Sequence, residues 1–222
     1  MNQTRESKRI TIRTLINEAW HALTHVEQGL WRTIIDLGVA PGKMLHNFLA
    51  GERRPYQKPF SFLLIGTGLF AIVMLFFHKY YLVPHPLTEE DKLYNTVFIM
   101  ESKYYSWLQL LLLPLYGFVA YMVFKKASYN YGEWIVVCCY VISFTLLLII
   151  PFYILDSLIH LPRTVHHFIQ LGILLVYTLY SLNSFLKYKM NRLRYLLILV
   201  CVVIDYFIFF FSFRGVAYLI TK

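Results

Sequence analysis

Five long apolar runs, none interrupted by more than one charge in its interior, constrain this chain more than any other feature. They are Phe60–Phe77 (18 residues, extendable past Lys79 through Tyr80 and Tyr81), Tyr104–Phe124 (21), Trp134–Leu155 (22), Phe168–Leu186 (19) and Tyr195–Phe213 (19). A helix needs about 20 apolar residues to cross the hydrocarbon of a bilayer. Backbone polar groups find no water there, so runs of this length read as helices. The expected spans are 60–81, 104–124, 134–155, 168–186 and 195–213, with Pro114 and Pro151 expected to kink the second and third. Composition agrees: 58% of residues are hydrophobic and 15% charged, with mean hydropathy +0.54. A soluble domain carries about 25% charged residues, so a water-facing globule, a disordered chain and a collagen-like repeat are excluded. Cys138, Cys139 and Cys201 all lie in apolar runs, which excludes a zinc ribbon and an extracellular disulfide framework. The fold class is an all-α integral membrane protein of five transmembrane helices preceded by short cytoplasmic amphipathic helices.

Charge supports that count. With alternating sides and the N-terminus inside, fifteen Lys and Arg fall on the inner side and six on the outer. The short loop holding Lys187, Lys189, Arg192 and Arg194 carries the strongest bias. Dropping the first span would invert everything after it. The expected location is therefore an inner membrane, N-terminus cytoplasmic and C-terminus external. Residues 1–59 are too charged to hold a signal-peptide core, so the first span is expected to act as an uncleaved anchor.

The chain thus divides into a head, residues 1–59, and a bundle, residues 60–222. In the head, Ile12, Leu15, Ile16, Ala19, Trp20, Leu23 and Val26 recur at helical spacing. Gly29 is expected to break that helix. A second stretch, Leu30–Leu37, places Trp31, Ile34 and Ile35 on one side. In a third, Pro41 suits a first turn, Met44, Leu45, Phe48 and Leu49 form an apolar face, and Gly51 is the expected cap. Such helices either lie on the inner leaflet or fold over the ends of the spans. The segment from Gly51 to Phe60 holds two prolines and is expected to be an extended connector. Its Arg53, Arg54 and Lys58 are the candidate contacts for anionic lipid or a partner, although basic residues beside a span are routine.

Arg9-Ile10-Thr11, His25–Leu30, Thr33, Pro41-Gly42-Lys43 and Phe48–Phe60 together resemble a bacterial family of small multi-pass membrane proteins of unknown function. Its members run from an Arg-Ile-Thr start to a Pro-Gly-Lys segment and a Tyr-containing, Pro-ended segment before the first span. The resemblance covers roughly residues 9–65 and implies a multi-pass fold in a bacterial inner membrane. Many members begin with a four-cysteine zinc ribbon that this chain lacks, and the resemblance implies no activity.

Few residues could carry chemistry. Asp205 is the only formal charge deep inside a run, at position 11 of the 19 in Tyr195–Phe213. A charge at mid-bilayer costs at least about 2.5 kcal/mol, so it should face the bundle and find a partner. Gln109, Gln170 and Asn183 are its candidate neighbours. A proton- or cation-coupled site and a protonated structural Asp weigh equally. His78, His85, His160, His166 and His167 gather on the expected outer side near Asp156, without a firm metal-ligand spacing. Glu18, His21 and His25 share a helix face that reads best as solvated. There is no Gly-rich phosphate loop, GxSxG or HExxH, and Cys138-Cys139 reads as packing. No catalytic residue, metal or cofactor is assigned, and an enzyme is the lesser expectation.

The leading expectation is an ion or small-solute pathway, or an oligomeric channel-like assembly accessory to another system. A membrane-anchored module whose basic head recruits a cytoplasmic protein or nucleic acid is second, and a lipid-modifying enzyme third. The expected partners are anionic headgroups, further copies of the chain and a cytoplasmic protein, with nucleic acid disfavoured because no nucleic-acid-binding fold is legible.

Overall fold

The computed structural model of the chain describes residues 29–81, 88–159, 161–187, 190 and 192–221. Among these there is no strand. The helices run in the order α1 (29–39), α2 (Pro41–Leu49), α3 (Pro59–Tyr81), α4 (Glu89–Val123), α5 (Tyr131–Ile159), α6 (Arg163–Leu186) and α7 (Arg194–Thr221), with a 3-10 turn at Lys125–Ala127. Pro59–Phe77, Lys103–Val123, Tyr131–Ile159, Val165–Leu186 and Arg194–Ser212 are long and apolar enough to cross a membrane. The chain is an all-α, multi-pass membrane protein. The stretch Ile12–Val26, with Glu18, His21 and His25, lies outside the described residues, as do His85, His160 and the side chain of His78.

Short links force the spans to alternate in direction. One end of the bundle therefore carries α1, α2 and the connector 50–58; the other carries the turn between α5 and α6. α5 is the hub. At 29 residues it is about 43 Å long, and it packs against α3, α4 and α6. α7 packs against α4 and α6 and is the least buried span. Ser143 at the middle of α5 donates to the Phe62 carbonyl of α3 at 2.6 Å, which draws the two helices together.

Four helices exceed their expected bounds by several residues: α4 and α5, together with α6, which begins at Arg163, and α7, which runs to Thr221. α4 begins at Glu89 rather than at the first membrane-depth residue. The Thr88 hydroxyl accepts from the Asp91 amide at 3.1 Å, and Asp91 stands in the first turn, where the helix dipole favours an acid. Hydropathy detects only the buried part of such a helix. α5 likewise runs to Ile159, past Asp156. Pro114 and Pro151 are both accommodated inside continuous helices, and the Pro114 carbonyl accepts from the Tyr131 hydroxyl at 2.9 Å.

In the head, Pro41 opens α2, and Gly51 follows it with φ of +106°, as a helix-ending glycine does. Gly29 is helical within α1, and its carbonyl accepts from Thr33 Oγ1 at 2.7 Å; the Ile12–Val26 helix that it is expected to break lies outside the described residues. Trp31, Ile35 and Val39 form an outward stripe, whereas Thr33 and Leu37 are buried. The connector is free of helix, as two prolines require, but it is folded into turns rather than extended: Tyr56 N donates to Arg53 O and Arg53 N to Gly51 O. Leu37, Met44, Leu45, Phe48 and Tyr56 belong to the same core as Phe62, Trp134, Tyr140 and Phe185.

Candidate functional site

Asp205 lies on the face of α7 that meets α4. The rings of Tyr105 on α4 and Phe209 on α7 stand 5.7 Å apart. The two helices are antiparallel, so four residues onward along α4 and four residues back along α7 reach the same level, one turn deeper. Those residues are Gln109 and Asp205. Gln109 is buried, and its Nε2 donates to the Tyr105 hydroxyl at 3.1 Å. Asp205 Oδ2 accepts a weak bond from the Cys201 thiol, one turn earlier, at 3.6 Å. Asp205 Oδ1 and Gln109 Oε1 are both buried without a hydrogen-bond partner.

Of the other two expected neighbours, Asn183 stands apart from Asp205. Asn183 Oδ1 accepts from Arg194 Nε at 2.6 Å. Arg194 begins α7, eleven residues before Asp205, which places Asn183 about 16 Å away along the axis, at the connector end. Gln170 is half-buried on α6 and shares no hydrogen bond with Asp205.

Near the opposite end, α5 and α6 hold a pair that residue spacing alone did not reveal. His166 Nδ1 and Asp156 Oδ2 are 2.7 Å apart, and both side chains are almost wholly buried. Asp156 Oδ1 accepts from the Leu161 amide at 3.1 Å, so one carboxylate both caps the turn and orients the ring. The imidazole packs edge-on against Tyr153 and beside Phe152. Ring contacts then continue inward from Tyr153 to Phe70 and from Phe70 to Tyr105, the residue that bonds Gln109. Among the described residues no three His, Cys, Asp or Glu side chains converge as a metal-ligand set.

At the connector end Arg53, Arg54 and Lys58 are exposed, and the Arg53 guanidinium lies over the Phe48 ring at 5.6 Å. Beneath them Gln57 is fixed on both sides. Its amide donates to Thr33 Oγ1 at 2.9 Å, and its carbonyl accepts from the buried Tyr140 hydroxyl at 2.6 Å. Tyr129 links the loop after α4 to α2 through His46 Nδ1 at 3.1 Å. Burial, reinforced by Glu133, pushes the Tyr129 phenol up to about 12, so it remains a hydroxyl donor.

A family model described as a protein of unknown function (DUF3667) matches residues 27–77. That stretch holds α1, α2, the connector and most of α3, and it overlaps the segment whose residues resemble an uncharacterised membrane family. No curated protein and no solved structure matches the chain.

Proposed function

We propose that the chain conducts protons or a small cation through its helical bundle, with Asp205 in the path and Gln109 beside it. In this reading the protein sits in a bacterial inner membrane with its N-terminus cytoplasmic, its C-terminus external, and Arg53, Arg54 and Lys58 against anionic headgroups. One observation carries the reading: Asp205 Oδ1 and Gln109 Oε1 are two acceptors, each buried without a hydrogen-bond partner, one turn from the Tyr105–Phe209 contact on facing helices. A buried polar group left unpaired costs about 1–3 kcal/mol, and an acid at membrane depth points to function by default. A proton on Asp205 would supply the missing donor, and a bound cation would satisfy both oxygens at once.

The purified protein in proteoliposomes, loaded with a pH- or cation-sensitive dye, separates these outcomes when run beside Asp205→Asn. Asn keeps the size and hydrogen-bonding capacity of the side chain but cannot give up a proton. Flux through the wild type that falls at least tenfold in Asp205→Asn is the expected result. Equal flux in both, or none in either from folded and incorporated protein, would make Asp205 a structural residue.

A further inference from the structure

We propose that the cleft between α2 and the last turn of α6 binds a phosphate group, carried either by an anionic lipid headgroup or by a free phosphorylated compound. The cleft holds about 340 Å³ and is lined by Gly42, Lys43, His46, Asn47, Ser184 and Lys187. That volume is at the small end of the range of ligand sites. Lys43, Asn47, Ser184 and Lys187 can each donate a hydrogen bond, two of them carry a permanent positive charge, and no carboxylate among the described residues lines the cleft. Such a wall complements a compact anion with several acceptor oxygens, and phosphate is that anion.

The walls are preorganised. A Cβ placed on Gly42 would stand 2.5 Å from the carbonyl carbon, carbonyl oxygen and Oγ of Ser184, so only the bare glycine lets α2 rest on the α6 backbone there. His46 cannot swing: Nε2 is 2.9 Å from the Phe185 carbonyl, Nδ1 bonds Tyr129, and the ring packs on Phe185 at 4.8 Å. A carbonyl only accepts, so Nε2 carries the hydrogen. Nδ1 then accepts from the Tyr129 hydroxyl. Met44, Leu45 and Phe185 lock the two helices together from the core side. Basic residues beside a membrane are routine. Here, however, they come from two segments far apart in sequence and converge on a concavity that packing holds open.

The full-length chain in nanodiscs tests this, and the result is independent of any flux through Asp205. The first arm counts retained phosphatidylglycerol against phosphatidylcholine by native mass spectrometry. The second titrates inorganic phosphate into phosphatidylcholine nanodiscs by calorimetry. Each lysine is worth about fivefold in affinity for an anionic group, or ~30-fold for the pair. Lys43→Gln/Lys187→Gln should therefore abolish the preference, while Lys125→Gln/Lys126→Gln, at the same end but outside the cleft, should keep it. Asn47→Trp fills the cleft without removing charge and should act like the Lys43/Lys187 pair; it also gives the reading should that pair fail to assemble. Loss in the lipid arm identifies a headgroup as the source. Phosphate binding lost in the variants, without lipid preference in the wild type, identifies a soluble phosphate. Equal loss in both lysine pairs, no loss in Asn47→Trp, or no binding of either probe by the wild type overturns the proposal.

Discussion

Asp156 does two things with one carboxylate: it holds the His166 ring and caps the turn between α5 and α6. Removing one member of a buried pair leaves the other without compensation, at a cost of about 3–5 kcal/mol. Asp156→Ala should therefore lower the thermal midpoint in detergent markedly. Asp156→Asn retains an acceptor for the Leu161 amide and a polar group for the ring, so it should cost about 1 kcal/mol, the scale of a single hydrogen bond. Asp156→Leu/His166→Phe removes both partners at once, and the aromatic would sit against Phe152 and Tyr153; its stability should return close to the wild type. A double variant as unstable as Asp156→Ala would refute the pairing. From sequence, His166 and Asp156 were neighbours in an outer loop with no assigned bond. An apolar window stops at a charge, so the expected third span ended at Leu155, one residue before the carboxylate that extends α5 and builds the turn. For Asp205 the same contrast was informative, because its apolar flanks are long enough to place it at membrane depth. Its level with Gln109 depends on the α4–α7 register, which no spacing within either segment encodes.

At the scale of elements, the connector shows how an irregular segment is held between helices. Thr33 Oγ1 closes a bond to its own helix and accepts the Gln57 amide, while Tyr140 satisfies the Gln57 carbonyl. Thr33 and Tyr140 are fully buried, so neither end of this chain can substitute water. Thr33→Val preserves shape but leaves the Gln57 amide without an acceptor, for about 1–3 kcal/mol. Faster hydrogen exchange at Gln57 and a lower thermal midpoint are expected, with Thr33→Ser restoring both. An unchanged exchange rate in Thr33→Val would show that the connector is not tied to α1. Two prolines were enough to exclude a helix from this segment. They could not specify the turns, because its partners lie 24 and 83 residues away. The head helices divide similarly. Pro41, Gly51 and the Met44, Leu45 and Phe48 face marked α2 locally, whereas α1 buries Thr33 and turns Trp31 and Ile35 outward. Apolar periodicity locates a stripe, and in a membrane protein a stripe can face away from the core.

For the whole molecule, the span number and the charge bias make one joint claim that can be measured. An odd number of spans puts the ends of the chain on opposite sides. The described cations at the connector end include Arg32, Lys43, Arg53, Arg54, Lys58, Lys125, Lys126, Lys187, Arg192 and Arg194, with Asp36, Glu52 and Glu133 as their acidic counterparts. Retaining that much positive charge on the cytoplasmic side is what sets orientation. The native cysteines lie within spans, at positions 138, 139 and 201. After they are replaced by Ala, single cysteines at exposed surface sites report the side directly. Thr88→Cys, at the N-cap of α4, should react with an impermeant maleimide in intact cells. Lys126→Cys, beyond the end of α4, should react only once the membrane is opened. Both sites reacting from outside would remove the span between them and with it the alternating bundle. An exact reversal would keep five spans and the Asp205–Gln109 level, but would turn the phosphate cleft toward the outer leaflet. The expected pattern leaves Asp205 at mid-membrane, with Asp156 and His166 on its external side and the basic cleft on its cytoplasmic side. The one acid at that depth then lies between a buried Asp–His pair and a cationic face, an asymmetry that a proton or cation path would meet along its length.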